Sequence, residues 1–153
     1  MSPQIALSVH AFSKSLFGNG QTQKEAKEFM GIPTYNETRN YLMMADEDLE
    51  RAHQAKDPLY RDARYRLAFD LLFDAARYAA MTFLATDEKR WGKLPDKLPA
   101  PFKQQFREFI SVLHIQYGYD DKFPRDQADE KFKEWRGKVR TFIDALAARS
   151  DSR

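Results

Sequence analysis

Arg107 and His114 form the pair whose residue types and spacing could do chemistry in this chain. In a regular α-helix, seven steps of about 100° nearly close two turns, so both side chains would share one helix face. The guanidinium group is always charged, and an imidazole exchanges a proton near neutral pH. A group that exchanges a proton and a fixed positive charge are the least that metal-free attack on a phosphodiester requires. Chance explains the same spacing equally well, because a helix with a histidine often carries an arginine within two turns.

A second candidate surface is the proline-containing segment 86–101, which is too broken for a long helix and longer than most helix connections. Trp91 lies in its middle, and its basic residues are Lys89, Arg90, Lys93 and Lys97. A basic loop with an aromatic ring can hold a nucleic-acid backbone and stack a base, so these residues are candidate RNA-binding positions. More often such a tryptophan anchors its loop to the domain, and we favour that alternative for Trp91.

Glu50 and His53 have the Glu-x-x-His spacing of carboxylate-bridged di-iron bundles. Such sites need that spacing twice, together with two further glutamates. Leucine and serine stand three positions before the other two histidines, and the chain has no cysteine, so we predict no metal and no cofactor. Glycine-rich phosphate loops, a dinucleotide fingerprint and a serine nucleophile elbow are absent as well, which leaves nucleotide hydrolysis and serine-hydrolase chemistry without support.

The elements that must position these residues are helices, because no stretch alternates apolar and polar residues with period two. Thr34 and Glu37 have the spacing of a capping box, and Gly31 can take a left-handed position before it. We predict an all-α, up-and-down four-helix bundle with helices over about 34–54, 59–85 and 102–118, and a fourth capped by Asp126. The bundle covers residues 34–149, after a leader at 1–33 with a short helix over about 22–30, and before a frayed tail at 150–153.

The second helix is apolar around most of its circumference and carries one polar stripe. Along that stripe the spacing predicts ion pairs between Asp62 and Arg66 and between Asp74 and Arg77, with Asp70 between them. We favour a solvated face as the interpretation of the whole stripe.

The composition is that of a globular domain: 153 residues with 42% apolar and 31% charged side chains. The formal charge of +2 arises from 25 cations and 23 anions, so attraction to nucleic acid must come from local patches. The N-terminus lacks the pattern of a signal peptide, and no segment is apolar enough to span a bilayer. Together with the absence of cysteine, this predicts a cytoplasmic protein without a membrane partner.

Arg107, its polar neighbour Glu108, His114 after six intervening residues and Tyr117 beyond it resemble the motif of the HEPN superfamily of helical domains. The resemblance covers roughly residues 36–148 in helix order and length. In its ribonuclease members four to six residues in total separate an arginine from a histidine, and the first of them is usually polar. Glu108 is longer than the asparagine, aspartate or histidine common there. The resemblance implies that Tyr117 would stack on RNA or hydrogen-bond to it.

The resemblance also implies metal-independent cleavage of RNA, in which a 2′-hydroxyl attacks the neighbouring phosphate. His114 would exchange the proton, and Arg107 would hold the non-bridging oxygens as charge develops on phosphorus. Ser111 could donate to the same phosphate, while Asp70 or Asp74 from the second helix could orient the imidazole. In the family two protomers join their motifs into one cleft, which implies a homodimer.

A different class of function is open: a non-catalytic dimeric bundle that acts as a protein-interaction or regulatory module. The chain holds twelve phenylalanines and seven tyrosines, more than a small four-helix core needs, and surplus aromatics often mark interfaces. The aromatic-rich leader would be the docking arm, through Phe12, Phe17, Phe29 and Tyr35. We place RNA-directed action, as an endoribonuclease or a toxin-type RNA-binding protein, ahead of this alternative.

Overall fold

The structure is a computed structural model that describes residues 31–152, and this part of the chain is an all-α bundle without strands. Its long helices are α1 Tyr35–Gln54, α2 Pro58–Leu84, α3 Phe102–Phe109 with a π-helical continuation Ile110–Tyr119, and α4 Ala128–Asp151. The predicted leader helix and the leader phenylalanines Phe12, Phe17 and Phe29 lie outside the described residues. None of the helices between residues 31 and 152 is long and apolar enough to cross a lipid bilayer.

The start of α1 is fixed by local chemistry that the sequence predicts correctly. The backbone N–H of Glu37 donates to Oγ1 of Thr34 at 3.2 Å, and the Thr34 N–H donates to Oε1 of Glu37 at 3.1 Å. This reciprocal capping box satisfies two donors that the first helical turn leaves free. Just before it, Gly31 has φ +82°, a left-handed conformation that glycine adopts without steric strain.

Contacts at the helix ends show that neighbouring helices run antiparallel. The Thr82 hydroxyl, near the end of α2, donates to the Pro33 carbonyl just before α1 at 2.6 Å. Phe83 at that same end of α2 packs against Phe102 at the start of α3, with ring centroids 5.6 Å apart. The first three helices therefore alternate in direction, and α2 lies between the other two.

The fourth helix closes the bundle by running antiparallel to α1. Near its end, Ser150 lies 2.7 Å from the Tyr35 hydroxyl at the start of α1. Further along, Arg136 makes two bonds of 2.8 Å to the Asp46 carboxylate. The prediction of an up-and-down four-helix bundle is confirmed for the described residues.

The predicted apolar seams of the last two long helices are buried in the core, together with residues of α1 and α2. Phe106 is fully buried, with its ring 6.1 Å from that of Phe73 and 6.2 Å from that of Phe142. It therefore joins α2, α3 and α4 at one point. The buried seam residues of α3 and α4 are Phe102, Phe106, Phe109, Leu113, Ala128, Phe132, Trp135, Val139, Phe142 and Leu146.

The connection from α2 to α3 is more ordered than its prolines suggest. Two single 3₁₀ turns, Trp91–Lys93 and Pro95–Lys97, follow each other within it. Leu94 and Leu98 are buried in the core and hold these turns against the bundle. The segment is therefore a packed part of the domain.

The prediction of a regular α-helix from Phe102 to Gly118 is wrong beyond Phe109. From Ile110 to Tyr119 the chain forms a π-helix, and the N–H of Asp120 donates to the carbonyl of Ile115 five positions earlier, at 2.7 Å. Each residue of a π-helix advances by a smaller angle than in an α-helix, because one turn contains more residues. Seven positions therefore no longer bring two side chains back to one face.

The start and end of the fourth helix also differ from the prediction. Asp126 lies in a 3₁₀ turn, Arg125–Gln127, and α4 begins only at Ala128. Gln127 takes the N-cap position without a side-chain hydrogen bond, so Asp126 is not the cap. At the other end α4 continues through Asp151, which places Ser150 inside the helix and not in a frayed tail.

Candidate functional site

His114 lies half-buried on the π-helical segment, between two aromatic side chains. Its imidazole stacks on Phe73 of α2 with centroids 4.7 Å apart, and Trp91 contacts it edge-on at 4.6 Å. Trp91 also packs edge-on against Phe73 at 6.1 Å. The tryptophan therefore anchors its loop to the domain, as the favoured alternative predicted, and it covers one side of the imidazole.

The other side of His114 borders a cavity of about 440 Å³ that is open to solvent. This cavity lies between α2 and the π-helical segment. Its polar side chains are His114, Asp70, Arg66 and Tyr119. Its remaining walls are Ala63, Leu67 and Gly118. An acid, a cation, an imidazole and a phenol therefore meet on one surface.

The environment of His114 favours the neutral imidazole. Burial lowers its pKa below 6.5, Arg77 adds to that effect, and the nearby negative charge of Asp70 opposes it. At pH 7 the ring is therefore mainly unprotonated and able to accept a proton. Asp70, one of the two aspartates proposed as partners of the histidine, thus acts on its charge and shares its cavity.

Tyr119 belongs to this site because of the π-helix. It follows His114 by five positions, which is the hydrogen-bonding interval of a π turn, so the two residues lie about one turn apart. The residue is 86% exposed, which is unusual for one with a large ring. The sequence offered no signal for it, because the predicted third helix ended at Gly118 and left Tyr119 in the turn that follows.

Arg66 is the cation that lines the cavity, and the sequence assigned it to a different role. Its Nε lies 3.1 Å from Oδ1 of Asp121. The predicted partner Asp62 instead binds Arg125, with 2.6 Å between Oδ1 and Nε. The predicted pair of Asp62 with Arg66 is therefore wrong. The arginine is held by a solvent-exposed carboxylate, and such pairs exchange readily for other anions.

Arg107 does not line the cavity that His114 borders. Its Nη2 lies 3.0 Å from Oδ1 of Asp96 in the second 3₁₀ turn, and more than half of its side chain is exposed. Both residues thus touch the connection between α2 and α3, but through different neighbours: Asp96 for Arg107, and Trp91 for His114.

The three other residues of the motif segment lie in separate environments. Glu108 pairs with Lys138 of α4 at 3.3 Å, and Ser111 is exposed without lining the cavity. Tyr117 is only 8% exposed, and its ring packs edge-on against Phe69 at 5.0 Å. In this position Tyr117 is a core residue whose ring has no face available for stacking on RNA.

We had favoured a solvated face for the whole polar stripe of α2. Asp74 shows that part of this stripe is buried. Its residue exposure is 8%, and burial raises the pKa of its carboxyl from 3.8 to about 7. Arg77 Nη2 is 3.9 Å away, so the predicted ion pair is present but long. The same Nη2 donates to the Tyr78 hydroxyl at 2.8 Å, and Tyr41 stacks on Tyr78 at 5.0 Å.

The basic residues of the connection are all on the surface. Arg90 is engaged with Glu88 at 2.7 Å, and this hydrogen bond lowers the pKa of the Glu88 carboxyl to about 2. The exposed basic side chains are Lys89, Arg90, Lys93 and Lys97. The same connection carries the acidic residues Asp87, Glu88 and Asp96, so its cations are interspersed with anions.

His53 is part of a surface cluster that does not line this cavity. Its Nε2 lies 2.8 Å from Oδ1 of Asp129, which also accepts from the Tyr65 hydroxyl at 3.0 Å. Glu50 Oε2 is 3.7 Å from Nδ1 of the same imidazole. Between residues 31 and 152 no three metal-binding side chains are grouped closely enough to hold an ion.

Comparison of the chain with family models, curated proteins and solved structures finds no match. The protein is therefore classed by its own structure, as an all-α bundle with a polar cavity beside a half-buried histidine. The resemblance to HEPN domains stays a prediction.

Proposed function

We propose that this protein binds single-stranded RNA at the cavity beside His114 and cleaves it without a metal ion. The observation that carries the proposal is a neutral, half-buried imidazole that meets a carboxylate and a guanidinium on one open cavity. His114, Asp70 and Arg66 supply these three groups. The combination provides a base, its electrostatic partner and an anion contact, which are the groups that phosphodiester transfer requires.

In the proposed reaction, His114 accepts the proton of a ribose 2′-hydroxyl as that oxygen attacks the neighbouring phosphorus. The new O2′–P bond forms while the P–O5′ bond breaks. The protonated imidazole then returns the proton to the leaving 5′-oxygen. The products are a 2′,3′-cyclic phosphate and a 5′-hydroxyl, so no redox partner or metal-bound water is consumed.

Arg66 is the cation placed to hold the phosphate, because it borders the same cavity as His114. The phosphate would replace the exposed Asp121 carboxylate as its partner. Arg107, together with the lysines of the connection, would instead contact the strand outside the cavity. This assigns the two arginines different roles, which substitutions can separate.

The first prediction concerns the imidazole. In buffer with a chelator, the wild-type protein cleaves single-stranded RNA to cyclic-phosphate ends, and His114→Gln lowers the rate by roughly 10²-fold or more, the contribution typical of a general base. His53→Gln, which alters a surface histidine elsewhere, is the matched control and keeps the rate. Circular dichroism checks that both variants are folded.

Substitution of the two arginines extends this experiment. Arg66→Ala should lower the cleavage rate at saturating RNA, since the phosphate contact acts on the reacting group. Arg107→Ala should mainly weaken RNA binding. An unchanged rate in His114→Gln rules out the proposed reaction, and a larger loss of saturated rate in Arg107→Ala than in Arg66→Ala transfers the phosphate role to Arg107.

A second candidate function, assembly with another copy of this chain, is supported by a groove between α3 and α4. The groove has a volume of about 650 Å³, and its apolar floor includes Phe109, Phe142 and Ala145. Its rim carries the ion pair of Glu108 and Lys138. A groove with an apolar floor and charges of both signs suits a second copy of this chain, so we propose it as a homodimer interface.

The second prediction tests this interface at Gly137, which lines the groove within α4. A Cβ added there meets no atom within 4 Å, so the first side-chain atom can be added without a clash. Gly137→Glu should place a charge in the interface and shift the protein to monomers in light scattering. Gly137→Ala is the control: it should keep the assembly and stabilise the helix by about 1 kcal/mol.

A monomeric wild-type protein at micromolar concentration would contradict the dimer. The leader as a docking arm for another protein is tested separately, by comparing the partners captured by the full chain and by a chain that begins at Thr34.

A further inference from the structure

The cavity beside His114 is lined by an exposed ring to which the reaction assigns no role, and by a carboxylate whose charge also acts on the imidazole. Asp70 and Tyr119 both line it, on α2 and on the last residue of the π-helical segment. From these two side chains we infer that the cavity is a base subsite selective for guanine, an inference that rests on the proposed action on RNA.

The carboxylate of Asp70 determines the selectivity. An ionised carboxylate only accepts hydrogen bonds, and its two oxygens accept from two neighbouring donors at once. Guanine presents such a pair on its Watson–Crick edge, the ring N–H and the adjacent amino group. Adenine and cytosine present an amino group beside an acceptor nitrogen, which repels a carboxylate oxygen. Uracil presents a single N–H between two carbonyl oxygens.

Tyr119 supplies the surface on which the base stacks. Unpaired RNA bases stack on exposed aromatic side chains, and the edge of the stacked base is then read by hydrogen bonds. The ring of Tyr119 is the most exposed among the large apolar side chains recorded as exposed in residues 31–152. Such exposure has no role in packing the bundle, but it suits a stacking platform.

The walls and the volume of the cavity agree with this occupant. Ala63 and Leu67 provide apolar surface beside the two polar groups, which is the usual make-up of a small-molecule site. The volume of about 440 Å³ lies in the range of such sites and admits one nucleotide. Arg66 and His114 border the same space, so a base held there keeps its phosphate near the proposed reacting groups.

The test measures binding of four nucleoside 3′-monophosphates to the full-length protein by calorimetry. Guanosine 3′-monophosphate should bind at least about tenfold more tightly than the adenosine, cytidine and uridine forms. Asp70→Asn should reduce this ratio to near one, because an amide replaces one acceptor oxygen with a donor. Asp126→Asn, at an exposed position outside the cavity, is the matched control and keeps the ratio.

Tyr119→Ala should weaken the binding of all four nucleotides by a similar factor. Tyr119→Phe keeps an aromatic ring and should retain the wild-type affinities. Equal affinity for the four bases, or a guanine preference that survives in Asp70→Asn, overturns the subsite. A merely structural role of Asp70 would change every affinity together and leave the ratio unaltered.

A short oligonucleotide with a single guanosine distinguishes RNA from a free guanine nucleotide as the ligand. It should bind more tightly than guanosine 3′-monophosphate through its additional phosphates, and equal affinity overturns RNA as the source of the base. Failure of the proposed function is distinguishable from failure of the subsite. Cleavage without base preference removes the subsite alone, whereas guanine-selective binding without cleavage removes only the reaction.

Discussion

At the scale of residues, His114 and Asp74 show how one bundle favours the neutral form of two different groups. Burial lowers the pKa of the imidazole and raises that of the carboxyl, because both lose hydration in their charged forms. The imidazole borders an open cavity, where a neutral base is useful. The carboxyl lies between helices with Arg77 as a distant cation, where its ionisation opposes folding.

The third prediction follows from that carboxyl. Asp74 ionises near pH 3.8 in the unfolded chain and near 7 in the folded protein, so the folded state retains a proton that the unfolded chain has released. Its contribution to stability therefore falls as the pH rises from about 4 to about 7 and stays constant above that. Asp74→Asn removes this dependence.

The free energy of unfolding of Asp74→Asn minus that of the wild type should be larger at pH 8 than at pH 4. The increase should reach up to about 4 kcal/mol, measured by urea unfolding. The charged and polar groups nearby, Asp70, Arg77, Tyr41 and Tyr78, are the same in both proteins. Asp126→Asn provides the control for loss of a surface carboxylate. A stability difference independent of pH would contradict the raised pKa.

At the scale of elements, the described helices differ in how far local sequence determines them. The start of α1 follows from two side chains three positions apart, which bond each other's backbone. The π-helical segment has no such local signature. We infer that its wider turn depends on packing, because Leu113 and Tyr117 are both buried against the rest of the core.

The fourth prediction tests the capping box. Thr34→Ala should lower the free energy of unfolding by about 1 kcal/mol, because the Glu37 N–H loses its side-chain acceptor. Thr34→Ser keeps a hydroxyl and should retain most of the stability. Urea unfolding of both variants measures the difference, and equal losses in the two would show that the hydroxyl is not the stabilising group.

At the scale of the whole molecule, the core is an aromatic network that joins the helices around α2. Phe106 on α3 stands between Phe73 on α2 and Phe142 on α4. The imidazole of His114 stacks on the same Phe73 ring. The packing that stabilises the bundle therefore also positions the candidate base.

The fifth prediction concerns this junction. Phe106→Ala removes a fully buried ring and should destabilise the protein by about 3–5 kcal/mol, the cost of lost burial plus the remaining cavity. Phe106→Leu fills most of the space and should cost clearly less. Thermal unfolding with circular dichroism detects the difference, and a loss below about 1 kcal/mol for the alanine variant would exclude a central role for this ring.

Much of the fold was predictable because helix periodicity and capping are local. The seams around Phe106 and Val139, the capping box at Thr34 and the pair of Asp74 with Arg77 all follow from spacings of three or four residues. The candidate site was less predictable. Tyr119 belongs to the site because of the π-helical turn, and Arg66 because α2 packs beside that turn. Neither arrangement can be predicted from the spacing of apolar residues.

The amino-acid sequence by itself determined an all-α bundle with its four apolar faces, and it indicated His114 as the residue able to move a proton. Only the tertiary structure decided which groups surround that imidazole: Asp70 and Arg66 at the cavity, and Trp91 on another side. It also decided that Arg107 pairs with Asp96 outside this cavity. The physical reason is that helix formation depends on neighbours a few residues apart. A site depends instead on burial and on the angular register at which separate helices meet.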